Sequence, residues 1–323
     1  MKALIINQLN SRPVFDELLP TLPCETDAQV NLKASALNHR DLFITQGLYA
    51  GIKIPCVLGS DGAGEWNGQR VLIYPALEWG SSPNHQGKHF RVLGMPEHGT
   101  FAEQITIPKA NIYAMPEHLS WEEGAALPLA GLTAWRTLMS RCQLQPGEKV
   151  FITGIGGGVA LMAMQFALAS GAEVWVSSGN AQKIEQAKAL GAAGGVSYRE
   201  SDWDKQLKQQ SGSGFDVIID SAGGDGFALF PGLCNPGARI GFYGGTLGKV
   251  NGLSLQPIFW KQISLLGSTM GSPTEFAEML KFVEKHQIRP VVDCMFPLSQ
   301  GNAAFDHMET GGQFGKIVLQ NTL

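Results

Sequence analysis

Hydrophobic and polar positions change rhythm part-way along the chain. Up to about Ser120 the apolar residues come in short runs cut by Gly and Pro. Val30-Asn31-Leu32-Lys33-Ala34 alternates, Arg70-Val71-Leu72-Ile73-Tyr74 stops at Pro75, and Phe101 to Ile107 alternates before Pro108. Alternation with a period of two marks strands with one face in a core, so this part reads as β-rich. From Trp121 the texture becomes helices alternating with apolar strands at Val150–Thr153, Glu173–Ser177, Asp216–Asp220, Ala238–Tyr243 and Ile263–Ser268. That alternation predicts βαβ units and a parallel sheet. After Pro273 come an amphipathic helix from Glu275 to His286, a short Val291-Val292-Asp293 run, a helical stretch near Ala303 to Glu309, and a last strand from Lys316 to Leu319. This tail is too short for a domain of its own and is assigned back to the β-rich part. The expected fold is α/β, with residues 1–120 and 273–323 forming one domain and a doubly wound parallel-sheet domain at 121–272.

Composition narrows the function classes. The 323 residues carry 44% hydrophobic residues, enough for two cores, and only 16% charged residues. With 24 Lys+Arg against 28 Asp+Glu the formal charge is −4, which offers no basic footprint for nucleic acid. Cys24, Cys56, Cys142, Cys234 and Cys294 are far apart, odd in number and without C-x-x-C spacing, which predicts reduced thiols and a cytoplasmic location. The start, Met1 to Asn7, reads as a short strand and not as a signal peptide, and no apolar run approaches the length of a membrane span.

The chemistry-bearing motif is the run Gly154-Ile155-Gly156-Gly157-Gly158-Val159-Ala160. It follows the strand Val150–Thr153 and precedes an apolar helix, Leu161 to Ser170, which is the context a dinucleotide-binding turn requires. Glycines permit the tight turn and the close approach of a pyrophosphate, and the helix N-terminus offers free N–H groups to the anion. In the frame G-x-G-x-x-G the third position is Val159, whereas the frame Gly154, Gly157, Ala160 keeps small residues throughout and is preferred. The next strand ends in Ser177-Ser178-Gly179-Asn180, without the Asp or Glu that would hold a free ribose 2′-hydroxyl. Ser177, Ser178 and Lys183 can donate to a 2′-phosphate, so NADPH is expected over NADH; Lys183 reads equally as a solvated charge at a helix start.

Further landmarks stand in order: Ala36-Leu37-Asn38-His39-Arg40-Asp41-Leu42, Pro55 to Gly64, Gly99-Thr100-Phe101-Ala102-Glu103, Ala125 to Ala134, and Gly147-Glu148-Lys149-Val150. With the glycine turn they make the chain resemble, over essentially its whole length, the medium-chain dehydrogenase/reductases, in particular the quinone oxidoreductase-like branch that lacks zinc. The resemblance implies a GroES-like β domain interrupted by a Rossmann domain, and a homodimer paired through the strand Ile263 to Ser268. It places Asn38 in the cleft near the nicotinamide as a donor to the substrate oxygen, and Thr133 near the ring. Tyr198 would pack by the adenosine phosphate, and Ser221, Gly244, Gly245, Ser268 and Met270 would line the cofactor.

The family's alcohol dehydrogenases use Cys, His and carboxylate ligands for a catalytic zinc. By the resemblance, Asn38 stands at the cysteine position, Ser60-Asp61 at the His-Glu pair, and apolar sequence near Leu129 at the third ligand. The lobe that elsewhere carries four zinc-binding cysteines corresponds to Glu78–Arg91 and contains none. His85, His89 and His98 lie in or near it and read as surface residues, so no metal ligands are expected. Without a Lewis acid the favoured substrates are small electrophiles, quinones and α,β-unsaturated carbonyls, which spread developing charge over a conjugated system. The sequence alone leaves alternatives. Asn38 could cap a helix, His39 with Asp41 could deliver a proton or Arg40 with Asp41 form an ion pair, and Tyr49, in the loop Gln46 to Gly51, could donate a proton or merely exclude water. A zinc-free alcohol dehydrogenase-like enzyme and a non-catalytic NADPH-binding redox sensor are the competing functions.

Overall fold

The structure is a computed structural model that describes residues 1–321. The chain divides into two compact units, one formed by residues 1–132 and 271–321, the other by Thr133–Met270.

In the first unit the strand Asp27–Ala36 is the spine. Its residues alternate between core and solvent over the first half, as the period-two pattern predicts. It lies in a seven-stranded sheet between Asp61–Trp66 and Lys316–Gln320, with Val292–Pro297 pairing outside the latter and Gln104–Pro108 pairing with the start of the spine. The C-terminal strand is thus an inner strand of the N-terminal sheet. A three-stranded sheet of Val14–Glu17, Lys2–Ile6 and Cys56–Val57 completes the strands near the core that contains Leu4, Ile6, Phe101 and Phe305. The helix Pro273–His286 starts from a capping box in which Ser272 and Glu275 satisfy each other's backbone N–H groups. It buries Phe276, Met279, Leu280 and Val283, the i, i+3, i+4, i+7 stripe of an amphipathic helix.

The second unit is an all-parallel six-stranded sheet. Its order is Gly194–Ser197, Glu173–Ser178, Lys149–Ile152, Phe215–Asp220, Cys234–Phe242 and Ser264–Gly267. Numbered within the unit this is 3-2-1-4-5-6, with the order reversing between Lys149–Ile152 and Phe215–Asp220, where loops leaving the carboxyl ends diverge and ligands bind. Val150, Phe151, Ile152, Val217, Ile218 and Ile219 are all buried, as continuous apolar runs covered on both faces require.

The two compact units divide after Leu132. The helix Trp121–Ala126 has its own capping box, Ser120 with Glu123, but packs on the strands Asp27–Ala36, Asp61–Trp66 and Lys316–Gln320 of the first unit. Among the described residues no helix is long and apolar enough to cross a membrane.

Candidate active site

The glycine turn is built as the cofactor chemistry demands. Gly154 has φ +64° and Gly156 φ +113°, backbone that side-chain-bearing residues rarely adopt, and the helix Gly158–Ala169 follows at once. Gly157 sits at the helix N-cap with an ordinary φ of −75°, so the second conformational demand falls on Gly156 and not on the preferred-frame Gly157. No side chain caps this helix, which leaves the first-turn N–H groups of Gly158 and Val159 open to an anion. A Cβ on Gly156 would stand 2.7 Å from Lys183 Cδ, which places the lysine stem across the turn.

At the end of the neighbouring strand Ser177 and Ser178 are buried. Ser178 pairs in register with Ser197, so the residues following both strands come together. Around Gly179 the nearest groups are the Tyr198 hydroxyl, 2.8 Å from a Cβ placed there, and Arg199 Nε at 3.0 Å. Arg199 escaped the sequence reading. It adds a second cation to Lys183 in this unit, beside a strand end that lacks an acid.

On the other side of the switch point Asp220 braces its loop. It accepts from Thr153 Oγ1 at 2.6 Å and from the Ala222 and Gly223 amides at 3.0 and 2.8 Å. Gly244 is small because the Ser221 carbonyl lies 2.6 Å from where a Cβ would be, while Gly245 has open space. Ser268 follows the last strand, its Oγ buried and without a hydrogen-bond partner; Met270 is buried at φ +45°, and Thr133 is 6% exposed. An orphaned buried hydroxyl, an uncapped helix end and two left-handed glycines fit a dinucleotide.

The first unit holds a polar cluster made by sheet register. Ala36 pairs with Asp61 on one side and with Val318 on the other. Two residues on, Asn38 therefore comes opposite Lys316, because side chains of an antiparallel pair share a face every second residue. Lys316 Nζ donates to Asn38 Oδ1 at 2.7 Å and to Asp61 Oδ2 at 2.9 Å, and Asn38 Nδ2 donates to Asp61 Oδ2 at 2.9 Å. Asp61 Oδ1 accepts from the Leu129 amide at 2.7 Å. The Asp61 side chain is fully buried and that of Lys316 is 6% exposed.

Asn38 does stand at the N-cap of the helix His39–Thr45, while its side-chain Oδ1 accepts from Lys316 and one Nδ2–H donates to Asp61. The reciprocal cap comes from Asp41, which accepts from the Asn38 backbone N–H at 2.8 Å. Burial pushes the Asp41 carboxyl up to about 6, against the pull of Arg40 and of the Asn38 amide. His39 is exposed and Asp41 is buried, and Arg40 Nη1 stands 4.0 Å from Asp41 Oδ1, within ion-pair distance. Arg40 Nη1 donates to Ser60 Oγ and to the Leu93 carbonyl at 2.7 and 2.8 Å, and its guanidinium lies 5.0 Å from the centre of the Tyr49 ring.

This donor set does not fit a tetrahedral zinc. Asn38, Ser60 and Leu129 supply neither thiolate nor imidazole, the two Asp61 oxygens already accept three hydrogen bonds from Leu129, Asn38 and Lys316, and the ammonium would face the metal. In the 78–91 lobe, a Trp79–Phe90 edge contact at 5.4 Å and the Arg91–Glu78 ion pair at 3.0 Å do the holding. His98 Nδ1 accepts from the Val57 amide, and His85 meets the Gln86 carbonyl. The metal-like trio found among the described residues is elsewhere, at Asp293, Cys294 and His307, where His307 already pairs with Asp293 at 2.8 Å.

Residues 25–117 match the alcohol dehydrogenase GroES-like domain, and residues 158–285 the zinc-binding dehydrogenase domain. The chain belongs to the medium-chain dehydrogenase/reductase superfamily. It is 34% identical to the zinc-type alcohol dehydrogenase-like protein YogA of Leptosphaeria maculans, over 92% of this chain and 91% of the relative. The crystal structure of an NAD-dependent alcohol dehydrogenase superposes with a TM-score of 0.93 at 33% identity, covering 100% of both chains. The quinone oxidoreductase of Thermus thermophilus, solved also with NADPH, gives a TM-score of 0.83 at 26% identity over 99% of this chain and 100% of that one. This superfamily member is a nicotinamide-dependent type of oxidoreductase with a GroES-like and a Rossmann-like domain.

Proposed function

We propose that the protein is an NADPH-dependent, zinc-independent reductase of quinones or α,β-unsaturated carbonyls. The observation that carries this reading is the buried cluster in which Lys316 bonds both Asn38 and Asp61, two residues that by resemblance stand where zinc-using relatives place ligands. The bound nicotinamide would supply a hydride, two electrons and one proton, to a quinone or to the β-carbon of an enone. Solvent would supply the second proton, giving hydroquinone or saturated carbonyl. Asn38 would donate a hydrogen bond to the oxygen on which negative charge develops, an interaction that strengthens in the transition state. Gly154, Gly156 and the amides of Gly158 and Val159 would hold the pyrophosphate, and Ser268 Oγ would gain its missing partner from the cofactor. Ser178, Lys183 and Arg199 would favour a 2′-phosphate. Tyr49, stacked on Arg40, would exclude water from the substrate side.

A homodimer is part of the same reading. The edge strand Ser264–Gly267 exposes Leu265, and the preceding helix Leu255–Trp260 buries none of its residues, leaving Phe259 66% and Trp260 81% exposed. An open apolar edge of this kind is a pairing surface. The five cysteines are free thiols, and a cytoplasmic location belongs to the same proposal.

The test is steady-state NADPH oxidation with a panel of quinones, enones and saturated ketones, on protein dialysed against a chelator. Turnover of the first two classes without zinc is expected, and Asn38→Ala should lower kcat by about 10²-fold while NADPH still binds. Activity that appears only on adding zinc, or oxidation of simple alcohols alone, refutes the proposal; cofactor binding without any turnover would favour a redox sensor.

A further inference from the structure

We propose that Lys316 is the positioning residue of this site: its ammonium and the Asp61 carboxylate together force the Asn38 amide into the one orientation that can stabilise a developing oxyanion. The inference rests on the metal-free reading above. An asparagine amide has two orientations of nearly equal shape, one presenting oxygen and the other N–H. They differ chemically in full, since the oxygen would repel a substrate oxygen gaining charge and the N–H would bind it.

Here two charges decide the orientation. Lys316 has only donors, so the atom 2.7 Å from its Nζ is the amide oxygen; ionised Asp61 has only acceptors, so the atom 2.9 Å from its Oδ2 is the amide nitrogen. A flipped amide would set oxygen against carboxylate and NH2 against ammonium, two repulsions in a place with almost no water to screen them. In the observed orientation Oδ1 takes Lys316, one Nδ2–H takes Asp61, and the other Nδ2–H is left for substrate.

The ammonium also changes the donor's strength. A cationic hydrogen bond to the amide oxygen draws electron density from nitrogen and makes the remaining N–H a better donor, the cooperative effect seen along hydrogen-bonded chains. Lys316 thus contributes charge at second hand: it touches Asn38 and Asp61, and acts on substrate through the amide.

The test is a double-mutant cycle on the intact enzyme with one quinone or enone that the wild type turns over. Lys316→Met should lower kcat by about 10²-fold with the NADPH Kd unchanged, and Lys316→Arg should recover much of it. In the Asn38→Ala background, Lys316→Met should cost less than about threefold more, because the residue it positions is gone. The loss should also grow along a series of increasingly electron-rich acceptors, a slope that a purely structural lesion would not produce. Since Lys316→Met leaves Asp61 buried and unpaired, Asp61→Asn with Lys316→Met serves as a neutral second variant, and it should show the same fall in kcat. Retained kcat in the folded variants, or fully additive losses in the cycle, overturns the inference. A wild type that turns over neither acceptor class without zinc refutes the underlying reading instead.

Discussion

Asp41 gives the protein a pH-dependent stability whose sign and size follow from its surroundings. Its carboxyl is buried, accepts from the Asn38 backbone N–H through Oδ2, and leaves Oδ1 without a hydrogen bond, 4.0 Å from Arg40 Nη1. Burial outweighs the help of Arg40, so the folded-state value is about 6 against 3.8 in the unfolded chain. Between those values the folded state holds a proton that the unfolded state has lost, so stability falls as pH rises from about 4 to about 6 and is flat on either side. The gap between 3.8 and about 6, at about 1.4 kcal/mol per pH unit, amounts to about 3 kcal/mol. Asp41→Asn keeps an acceptor for the Asn38 amide and removes the titration. Urea unfolding of both proteins from pH 4 to 8, read as the difference between them, cancels every titration they share. The variant should gain about 2 kcal/mol on the wild type across that range, the rest of the span lying below pH 4, and if the two units unfold separately only the transition of the unit holding Asp41 should move. A difference that stays flat, or one of opposite sign, refutes the assignment of burial as the dominant cause.

Three further outcomes can be measured directly. Gly156→Ala forces φ +113° on a residue with a side chain and pushes its Cβ to 2.7 Å from Lys183 Cδ; fluorescence titration should show at least about tenfold weaker NADPH binding in a protein that still folds. Arg199→Glu should raise the KM for NADPH by about tenfold or more and leave that for NADH nearly unchanged, about 1.4 kcal/mol of discrimination in the ratio. Leu265→Lys with Trp260→Ser places a charge on the exposed edge strand and trims the most exposed aromatic beside it; light scattering should report a monomer, and a persisting dimer would move the interface elsewhere.

The two periods, two in the first unit and the strand–helix alternation in the second, made the fold legible because each burial pattern has one solution: a half-exposed mixed sheet and a doubly covered parallel sheet. The glycine turn was legible because phosphate binding demands contiguous residues. Lys316 was not, since its partners lie 278 and 255 residues away and only register brings them opposite. Read alone, Lys316 is an ordinary lysine at the start of a terminal strand. Arg199 could have been found: it follows the third strand of the parallel sheet, and the residues after neighbouring parallel strands converge at the same end. The helix Trp121–Ala126 could not be assigned to a sheet from sequence for a local reason, because the capping box Ser120 to Glu123 signals a helix without saying on which sheet it packs.

On the proposed reading, exchanging a metal for a buried ammonium–carboxylate pair changes which acceptors can be reduced. A metal bonds the substrate oxygen directly and stabilises a full alkoxide by several kcal/mol. The pair of Lys316 and Asp61 is neutral overall, and what reaches the substrate is one polarised amide N–H, worth about 3 to 4 kcal/mol where such donors have been removed from other enzymes. That is enough for an enolate or a hydroquinone monoanion, whose charge is already spread over a conjugated system, and too little for the localised alkoxide of a saturated ketone. The ranking of acceptors therefore follows from the amide alone: quinones first, enones next and saturated ketones last. Replacing Asn38 should widen that ranking, because the acceptors that lean most on the donor are the ones already ranked last, and they lose most when it goes.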